Sequence, residues 1–422
     1  MKTIMRKLFV DVKKKNVFLW TAMSGGIISA SSVITLLVLT RVLGLTEAGI
    51  YSIALSVSQQ LSSIGTYCLR TFHSSDINKK YSFNDYRNLR IISCIAMLIV
   101  SIIWVWVYHY DGYKASIVLT LCLYKVVQSY CDLYEGTYQR NNRFDISGKS
   151  SFTKECAAVV SSIIIICLFH NLFFAMLSMS VVYLVLFFVI DVNIIDCFEI
   201  KEKVKCNWHN ICSLLVVGFP IVVNSYLMLY INNSSKYAID QYCSEAEVAI
   251  FNVLYMPIFC INLLMGFVTR PLITVLAVKV EEKKKKDVRN ILLKEIGIVA
   301  IITLVVILGM YTVGLAILGF LYSMELAPYK TELLLLLFGG AFYATYTIFY
   351  YVITILRKQF TLLVSCLFGA GVAVGLIPFL VKNYGMLGVS AGYAVIMFCI
   401  MMICRFFTMI YLKKYDKTER KG

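Results

Sequence analysis

Long apolar runs recur twelve times along this chain, and their length limits what the chain can fold into. Each run is close to the ~20 residues that an α-helix needs to cross the hydrocarbon core of a bilayer. Because that core offers no water to backbone groups, runs of this kind fold there as helices. The predicted spans are 17–40, 48–72, 91–110, 115–138, 153–170, 172–192, 211–233, 248–272, 291–321, 331–356, 360–381 and 386–411. The sequence therefore predicts an all-α membrane protein with about twelve transmembrane helices.

Basic residues lie mostly in alternate gaps between these spans. Of the 40 Lys and Arg residues, Arg70 and Lys125 fall inside spans. Five others lie on one side of the membrane: Arg41, Lys114, Lys236, Lys330 and Lys382. The remaining 33 lie in the other set of gaps, at the adjoining helix ends and in both terminal segments. The positive-inside rule then predicts a multi-pass inner-membrane protein with both termini in the cytoplasm.

The composition excludes two other classes of protein. A hydrophobic fraction of 59%, a charged fraction of 15% and a mean hydropathy of +0.77 are incompatible with an ordinary soluble domain. The net charge of +16 could suggest nucleic-acid binding. However, the bases lie in short cytoplasmic loops, where topology and the anionic leaflet account for them. We therefore expect membrane lipids, and no nucleic acid, as partners.

One cluster in the middle of the chain has residue types that bind zinc. It comprises Cys197, Cys206, His209 and Cys212. The last three are spaced by two residues each, which differs from the paired Cys-x-x-Cys pattern of structural zinc sites. The spacing favours ordinary loop and helix residues. The chain also contains no phosphate-binding loop, metalloprotease helix or nucleophile elbow, so we expect no enzyme activity and no cofactor or metal.

The most polar connection near the midpoint divides the chain into two halves. We predict an N-lobe of spans 1–6 (1–195), a cytoplasmic inter-lobe loop (196–209) and a C-lobe of spans 7–12 with a basic cytoplasmic tail (210–422). The halves share a weak repeat, TEAGIY at 46–51 and SEAEVAIF at 244–251, each after the first span of its half. Since six spans precede the second half, both halves insert with the same orientation. Such parallel repeats are common in transporters.

Polar residues form a stripe along span 4. Lys125, Gln128, Asp132, Glu135 and Gln139 follow spacings of three and four residues, which places them on one helical face. A charge at this depth must meet water or a partner, because exposure to lipid costs at least ~2.5–3.5 kcal/mol. Two interpretations remain. The stripe lines a hydrated translocation cavity, or it forms an internal charge network in which Asp132 neutralises Lys125.

Other spans carry uncharged polar stripes. Span 2 has Ser52, Ser56, Gln59, Ser63, Tyr67 and Arg70 on one face, span 8 has Asn252, Tyr255 and Asn262, and span 10 has Tyr343, Tyr346 and Tyr350. Helix packing explains many such stripes. Beside span 4 they are also consistent with cavity walls. A cavity of this composition suits a large polar substrate that carries negative charge and hydroxyl groups.

Three segments resemble one family of membrane proteins. TRVLGLTEAGIY at 40–51, YSFNDYRNLR at 81–90, and Glu135-Gly136-x-x-Gln139-Arg140 with Arg143-Phe144 are similar to motifs of bacterial polysaccharide transport proteins. With the twelve predicted spans, the resemblance covers the whole chain. It points to the O-antigen flippases of the Wzx type, within the multidrug/oligosaccharidyl-lipid/polysaccharide (MOP) exporter superfamily.

The resemblance implies a MATE-like fold of two six-helix lobes that work by alternating access. The implied substrate is an undecaprenyl-pyrophosphate-linked repeat unit of O-antigen or a related polysaccharide, with a polymerase and a chain-length regulator as further partners. The residues expected to bind it are Arg41, Lys125, Lys236, Gln59, Gln128, Asn252, Tyr255, Arg70 and Arg270. Asp132 and Glu135 are expected to bind a coupling ion or to form a charge network. The alternatives are a cation-coupled multidrug exporter of the same fold and, less favoured, a membrane-embedded enzyme.

Overall fold

The computed structural model describes residues 2–10, 17–75, 81–198, 207–282 and 284–419. These ranges are helical and contain no strand. The helices are α1 (Lys2–Met5), α2 (Val17–Val42), α3 (Leu45–Thr66), α4 (Leu69–Ser75), α5 (Phe83–Val107), α6 (Gly112–Arg140), α7 (Phe144–Phe169), α8 (Leu172–Val189), α9 (Asp191–Ile194), α10 (Trp208–Tyr242), α11 (Glu245–Glu281), α12 (Lys285–Gly309), α13 (Leu315–Tyr322), α14 (Lys330–Ile355) and α15 (Gln359–Glu419). The all-α prediction is confirmed.

The surface of these helices is apolar, as expected for a protein surrounded by lipid. On α5, Ile95, Ile99, Ile102 and Trp106 recur every three or four residues and are between 52% and 74% exposed. A continuous stripe of this kind would be unstable in water. Within the described ranges, nine helical segments are long and apolar enough to cross a membrane. Helices α3 and α6, which carry the polar stripes, are not among these nine segments. The number of membrane crossings and the orientation of the termini stay predictions.

Helix α15 contains both of the last two predicted spans, and it is interrupted near its centre. Gly385 has φ 54° and ψ −134°, which interrupts the helix between the predicted spans 360–381 and 386–411. Only glycine adopts this backbone region without a steric cost. A second glycine has a similar role earlier in the chain. Gly44, with φ 93°, joins α2 to α3 and lies within the TRVLGLTEAGIY segment at 40–51.

Capping boxes fix the beginning of two long helices. Ser82 and Asp85 form a capping box at the start of α5, and Ser244 and Glu247 form another at the start of α11. Each box satisfies two of the backbone N–H groups that a helix leaves unpaired at its first turn. The repeated sequence at 244–251 therefore begins a helix, as does its counterpart at 46–51, although Gly44 provides no side-chain cap there.

The chain forms two compact units, residues 1–226 and 227–422, which divide inside α10. In the first unit α2 packs on α7, α3 packs on α5 and α6, and α8 packs on α6 and α7. In the second unit α11 and α12 pack together, and α14 packs on α11, α12 and α15. The lobes predicted from the spans, 1–195 and 210–422, stay a prediction.

Candidate functional site

Six charged side chains in the first unit form one connected cluster, which we call the charge network. Its members are Arg70, Arg90, Asp132, Glu135, Lys154 and Asp191, on helices α4, α5, α6, α7 and α9. Three cations face three carboxylates, so the charges of the network balance. This balance permits burial, because an unpaired charge in a low-dielectric interior is strongly unfavourable.

Asp132 lies at the centre of one half of the network. Its Oδ1 accepts from Arg70 Nη1 at 3.0 Å, and its Oδ2 accepts from Arg90 Nη2 at 2.9 Å. The Arg90 side chain is 1% exposed and also donates to the backbone oxygen of Gly65 at 3.0 Å. An added Cβ at Gly65 would lie 2.7 Å from the sulfur of Met97, so glycine permits this close approach of α3 and α5.

Glu135 and Asp191 complete the other half. Glu135 Oε2 accepts from Arg70 Nη2 at 2.9 Å, and its Oε1 lies 3.5 Å from Lys154 Nζ. Lys154 Nζ donates to Asp191 Oδ2 at 2.7 Å, and both side chains are fully buried. Ser150 donates to the second oxygen of Asp191 at 2.8 Å. These contacts tie α6 to α4, α7 and α9.

One of the two interpretations of the α6 stripe was a network in which Asp132 neutralises Lys125, and the structure does not contain this pair. The two residues are seven positions apart, about 10 Å along the helix, and Asp132 pairs instead with Arg70 and Arg90. Asp132 and Glu135 thus belong to a charge network, as one of the two interpretations proposed. Their binding of a coupling ion stays a prediction. Arg70 was expected to bind substrate. Its guanidinium donates to Asp132, Glu135, Gln139 and Ser147, and substrate binding by Arg70 stays a prediction.

Lys125 belongs to a separate polar group, the Lys125 cluster, with Tyr124, Gln128 and Glu155. Lys125 Nζ donates to Gln128 Oε1 at 2.7 Å and lies 5.4 Å from the centre of the Tyr124 ring. Gln128 Nε2 donates to Glu155 at 2.8 Å, and the Tyr124 hydroxyl donates to the same oxygen at 3.0 Å. Lys125 therefore reaches a carboxylate only through an amide. In contrast to Arg70, Arg90 and Lys154, it forms no direct ion pair within the described residues.

The stripe on α3 is mostly buried. Ser52 and Ser56 donate to carbonyl oxygens one turn earlier in their own helix, and both are at most 1% exposed. Ser63 is also buried and donates to Gln60. Gln59, in contrast, is exposed. In this structure the serines act as packing residues, and only Gln59 keeps the accessibility expected of a cavity wall.

The second unit holds a different group around Lys236. Lys236 was placed outside the membrane by the span prediction, but α10 continues to Tyr242 and the Lys236 side chain is buried. Its Nζ lies 5.6 Å from the centre of the Tyr255 ring, a favourable position for a cation over an aromatic face. The Tyr255 hydroxyl lies 3.0 Å from that of Tyr393 and 3.4 Å from Asn232 Oδ1. The structure thus brings Lys236 and Tyr255 together.

Three other predicted site residues have different outcomes. Arg41 is exposed at the last turn of α2, and Asn252 is half-buried in the second turn of α11. The side chain of Arg270 lies outside the described residues. The possible zinc cluster is described only in part, because Cys206 lies outside the described ranges. Within those ranges, no group of three or more His, Cys, Asp or Glu side chains could hold a metal ion.

Four charged residues of these groups were missed at the sequence level: Arg90, Lys154, Glu155 and Asp191. All four lie within one or two residues of a predicted span boundary, and the bases Arg90 and Lys154 were counted among the cytoplasmic helix ends. The helices α5 and α7 begin eight or nine residues earlier than those spans, at Phe83 and Phe144. Two sequence signals were available. Ser82 with Asp85 has capping-box spacing, and Arg90 lies on the same helical face as Ser93 and Met97.

Comparison with known proteins assigns the chain to a family. Residues 14–276, more than half of the chain, match the model of the family described as polysaccharide biosynthesis protein. The chain belongs to this polysaccharide biosynthesis protein family. A family relative, the capsular polysaccharide biosynthesis protein CapF of Staphylococcus aureus, is 21% identical over 315 residues, which cover 73% of this chain and 77% of CapF.

Solved structures show the fold of this polysaccharide biosynthesis family member. The lipid II flippase MurJ, in an inward closed conformation, has a TM-score of 0.67 at 14% identity, covering 91% of this chain and 87% of MurJ. An inward-facing multidrug resistance MATE transporter of the MOP superfamily has a TM-score of 0.60 at 13% identity, covering 99% and 100%. The eukaryotic MATE transporter AtDTX14 has a TM-score of 0.64 at 13% identity, covering 100% and 98%. The predicted MATE-like fold is confirmed, and the chain is a multi-pass membrane protein with a transporter fold.

Proposed function

We propose that the protein is a flippase for an undecaprenyl-pyrophosphate-linked repeat unit of O-antigen or a related polysaccharide. It moves this unit across the bacterial inner membrane by alternating access, with both termini in the cytoplasm and without enzymatic chemistry. Membership of the polysaccharide biosynthesis family supports the substrate class, and the transporter fold supports translocation. A polymerase and a chain-length regulator are the partners that would use the delivered unit.

The observation that carries the proposal is the position of Lys125 within its helix and the nature of its contacts. It lies 13 residues from the beginning of α6 and 15 from its end, so it is about 20 Å from either end of the helix. Its ammonium contacts an amide and an aromatic ring, and among the described residues it contacts no carboxylate directly. A cation so placed keeps attraction for a negatively charged ligand. Pyrophosphate is such a ligand, and its oxygens accept charge-assisted hydrogen bonds from Lys.

The test is complementation in a strain that lacks its O-antigen flippase. Lys125→Gln should lower surface polysaccharide about tenfold or more, since a hydrogen bond to a charged group contributes ~1.5–3 kcal/mol. Lys125→Arg should keep part of the export because it keeps the charge. Export is read from surface polysaccharide on gels, normalised to the amount of protein in the membrane.

Lys149 provides a matched control. Its Nζ also lies 5.4 Å from the centre of an aromatic ring, that of Trp20, but it is not part of the α6 stripe. Lys149→Gln therefore removes the same kind of cation–ring contact and should leave export unchanged. Wild-type export by Lys125→Gln would remove Lys125 from the site. Equal losses in both variants would show that any lost cation–ring contact is harmful.

The likeness to MATE transporters favours one alternative, cation-coupled multidrug export. The same host distinguishes the two functions. Restored surface polysaccharide supports the flippase. Increased resistance to cationic drugs without restored polysaccharide would support the multidrug exporter and refute our proposal.

A further inference from the structure

A small polar pocket lies between α11 and α14, inside the second unit. Its volume is about 170 Å³, room for roughly six water molecules at ~30 Å³ each. The eight described residues that line it carry no charge: Asn262, Met265, Gly266, Thr269, Tyr343, Ala344, Thr347 and Tyr351. This composition differs from that of the charge network and the Lys125 cluster. On its described lining, the pocket suits a neutral ligand.

The polar lining comes from two facing helical stripes. Asn262 and Thr269 are two turns apart on α11, while Tyr343, Thr347 and Tyr351 follow a four-residue spacing on α14. Each stripe begins near the middle of its helix and continues into the C-terminal half. Both α11 and α14 run towards the predicted cytoplasmic side. In that predicted topology the pocket extends from the middle of the membrane towards the side where a repeat unit is assembled.

The hydrogen-bonding groups in the pocket are only partly used by the protein. Asn262 Nδ2 donates to the backbone oxygen of Ile258 at 3.0 Å, which fixes the amide and leaves its Oδ1 without a partner among the described residues. Thr347 Oγ1 donates to the backbone oxygen of Tyr343 at 3.0 Å, so its lone pairs remain available. Fixed acceptors of this kind can receive hydrogen bonds from ligand hydroxyl groups.

The two tyrosines add flat apolar faces with a hydroxyl at the edge. Tyr343 stacks with Tyr346 at 6.1 Å, and Tyr351 packs edge-to-face with Tyr350 at 5.6 Å, so neighbouring rings hold both in place. A pyranose ring has the complementary surface, with C–H groups on its faces and hydroxyl groups around its rim. An apolar drug would leave the amide and hydroxyl groups of the pocket unpaired, which is costly.

We propose that this pocket binds one neutral pyranose ring of the lipid-linked substrate, as a sugar subsite separate from the cationic residues. The inference rests on the proposed function and adds to it. Lys125 would meet the pyrophosphate common to all such lipids, whereas this pocket would respond to the sugar. Affinity for the lipid carrier alone should therefore be independent of the pocket.

The test compares two probes on the purified full-length protein in lipid nanodiscs. The first is the lipid-linked repeat unit extracted from the flippase-deficient strain whose export the protein restores, and the second is undecaprenyl pyrophosphate without sugar. The wild type should bind the first about tenfold more tightly, as expected from one or two net hydrogen bonds. Asn262→Leu should reduce this ratio towards one and leave the Kd of the sugar-free lipid unchanged.

Asn383 provides a control with the same local geometry. Its Nδ2 donates to the backbone oxygen of Phe379, one turn earlier, as that of Asn262 does to Ile258, but it lies outside the pocket. Asn383→Leu should keep the wild-type ratio. Thr347→Val, which keeps the side-chain shape, gives a second pocket variant if Asn262→Leu lowers the yield of folded protein. It should also reduce the ratio.

Three results would overturn the sugar subsite. They are a wild-type ratio near one, a ratio that both pocket variants leave unchanged, and an equal weakening of both probes by the pocket variants. None of these affects the proposed function, which depends on restored export by the wild type. Failure of that complementation would instead refute the flippase assignment itself.

Discussion

Removal of the charge of Asp132 should destabilise the protein through Arg90. In Asp132→Asn the side-chain shape is kept, but an amide replaces a carboxylate that accepts from two guanidinium groups at 3.0 and 2.9 Å. The Arg70 side chain is 37% exposed and keeps its ion pair with Glu135. Water and this carboxylate therefore compensate for most of the lost interaction with Asp132. Arg90 is 1% exposed, and within the described part of the chain its remaining partner is the backbone oxygen of Gly65.

The magnitude follows from this difference in burial. Loss of one partner of a buried ion pair costs ~3–5 kcal/mol. Because Asn can still accept one hydrogen bond and Gly65 still accepts from Arg90, we expect about 2–4 kcal/mol for Asp132→Asn. Arg70→Gln should cost about 1 kcal/mol, because that pair is partly solvated and its partners Asp132 and Glu135 each keep a second cation. A double variant, Asp132→Asn with Arg90→Met, should regain stability because no buried charge remains unpaired.

The assay is thermal unfolding in detergent, followed by size-exclusion chromatography of a fluorescent fusion, together with the amount of protein in the membrane. The expected order of stability is wild type, Arg70→Gln, then Asp132→Asn, with the double variant above Asp132→Asn. An Asp132→Asn protein as stable as Arg70→Gln would refute the reasoning, because burial of Arg90 would then not determine the cost. Lys125→Gln should unfold near the wild-type temperature, which separates a substrate role from a structural one.

Two further predictions concern packing and accessibility. Gly148→Ala should destabilise the protein by ~1–3 kcal/mol in the same thermal assay, because its Cβ would lie 2.7 Å from the backbone oxygen of Trp20 and α2 would have to shift. Gly371→Ala, whose Cβ meets nothing within 4 Å, should be neutral or stabilising, and equal effects of the two changes would contradict this packing argument. In a background without the native cysteines, Gln59→Cys should react with a hydrophilic maleimide and Ser56→Cys should stay protected, since only the first position is exposed. Equal labelling of the two positions would show that the α3 serines are open to water after all.

The sequence by itself determined the helical class and which faces of the helices are polar. Twelve apolar runs near the bilayer thickness predict helices, since in lipid a helix satisfies its own backbone groups. The spacing of Lys125, Gln128, Asp132 and Glu135 fixed them on one face of α6, because side-chain direction along a helix depends only on its periodicity. Gly44 also lies in one of the three segments that carry the family resemblance, and its positive φ gives a physical reason for glycine at this position.

Only the tertiary structure decided which charges pair. Asp132 meets Arg70 and Arg90 across three helices rather than Lys125 on its own helix, and helical periodicity contains no information about neighbouring helices. Helix ends were the second source of error. Hydropathy locates the apolar centre of a span, so Arg90, Lys154 and Lys236 were assigned to helix ends or loops, although the helices extend past them and packing buries all three. Burial of a long cationic side chain depends on a partner from another segment, and that partner is known only once the helices are assembled.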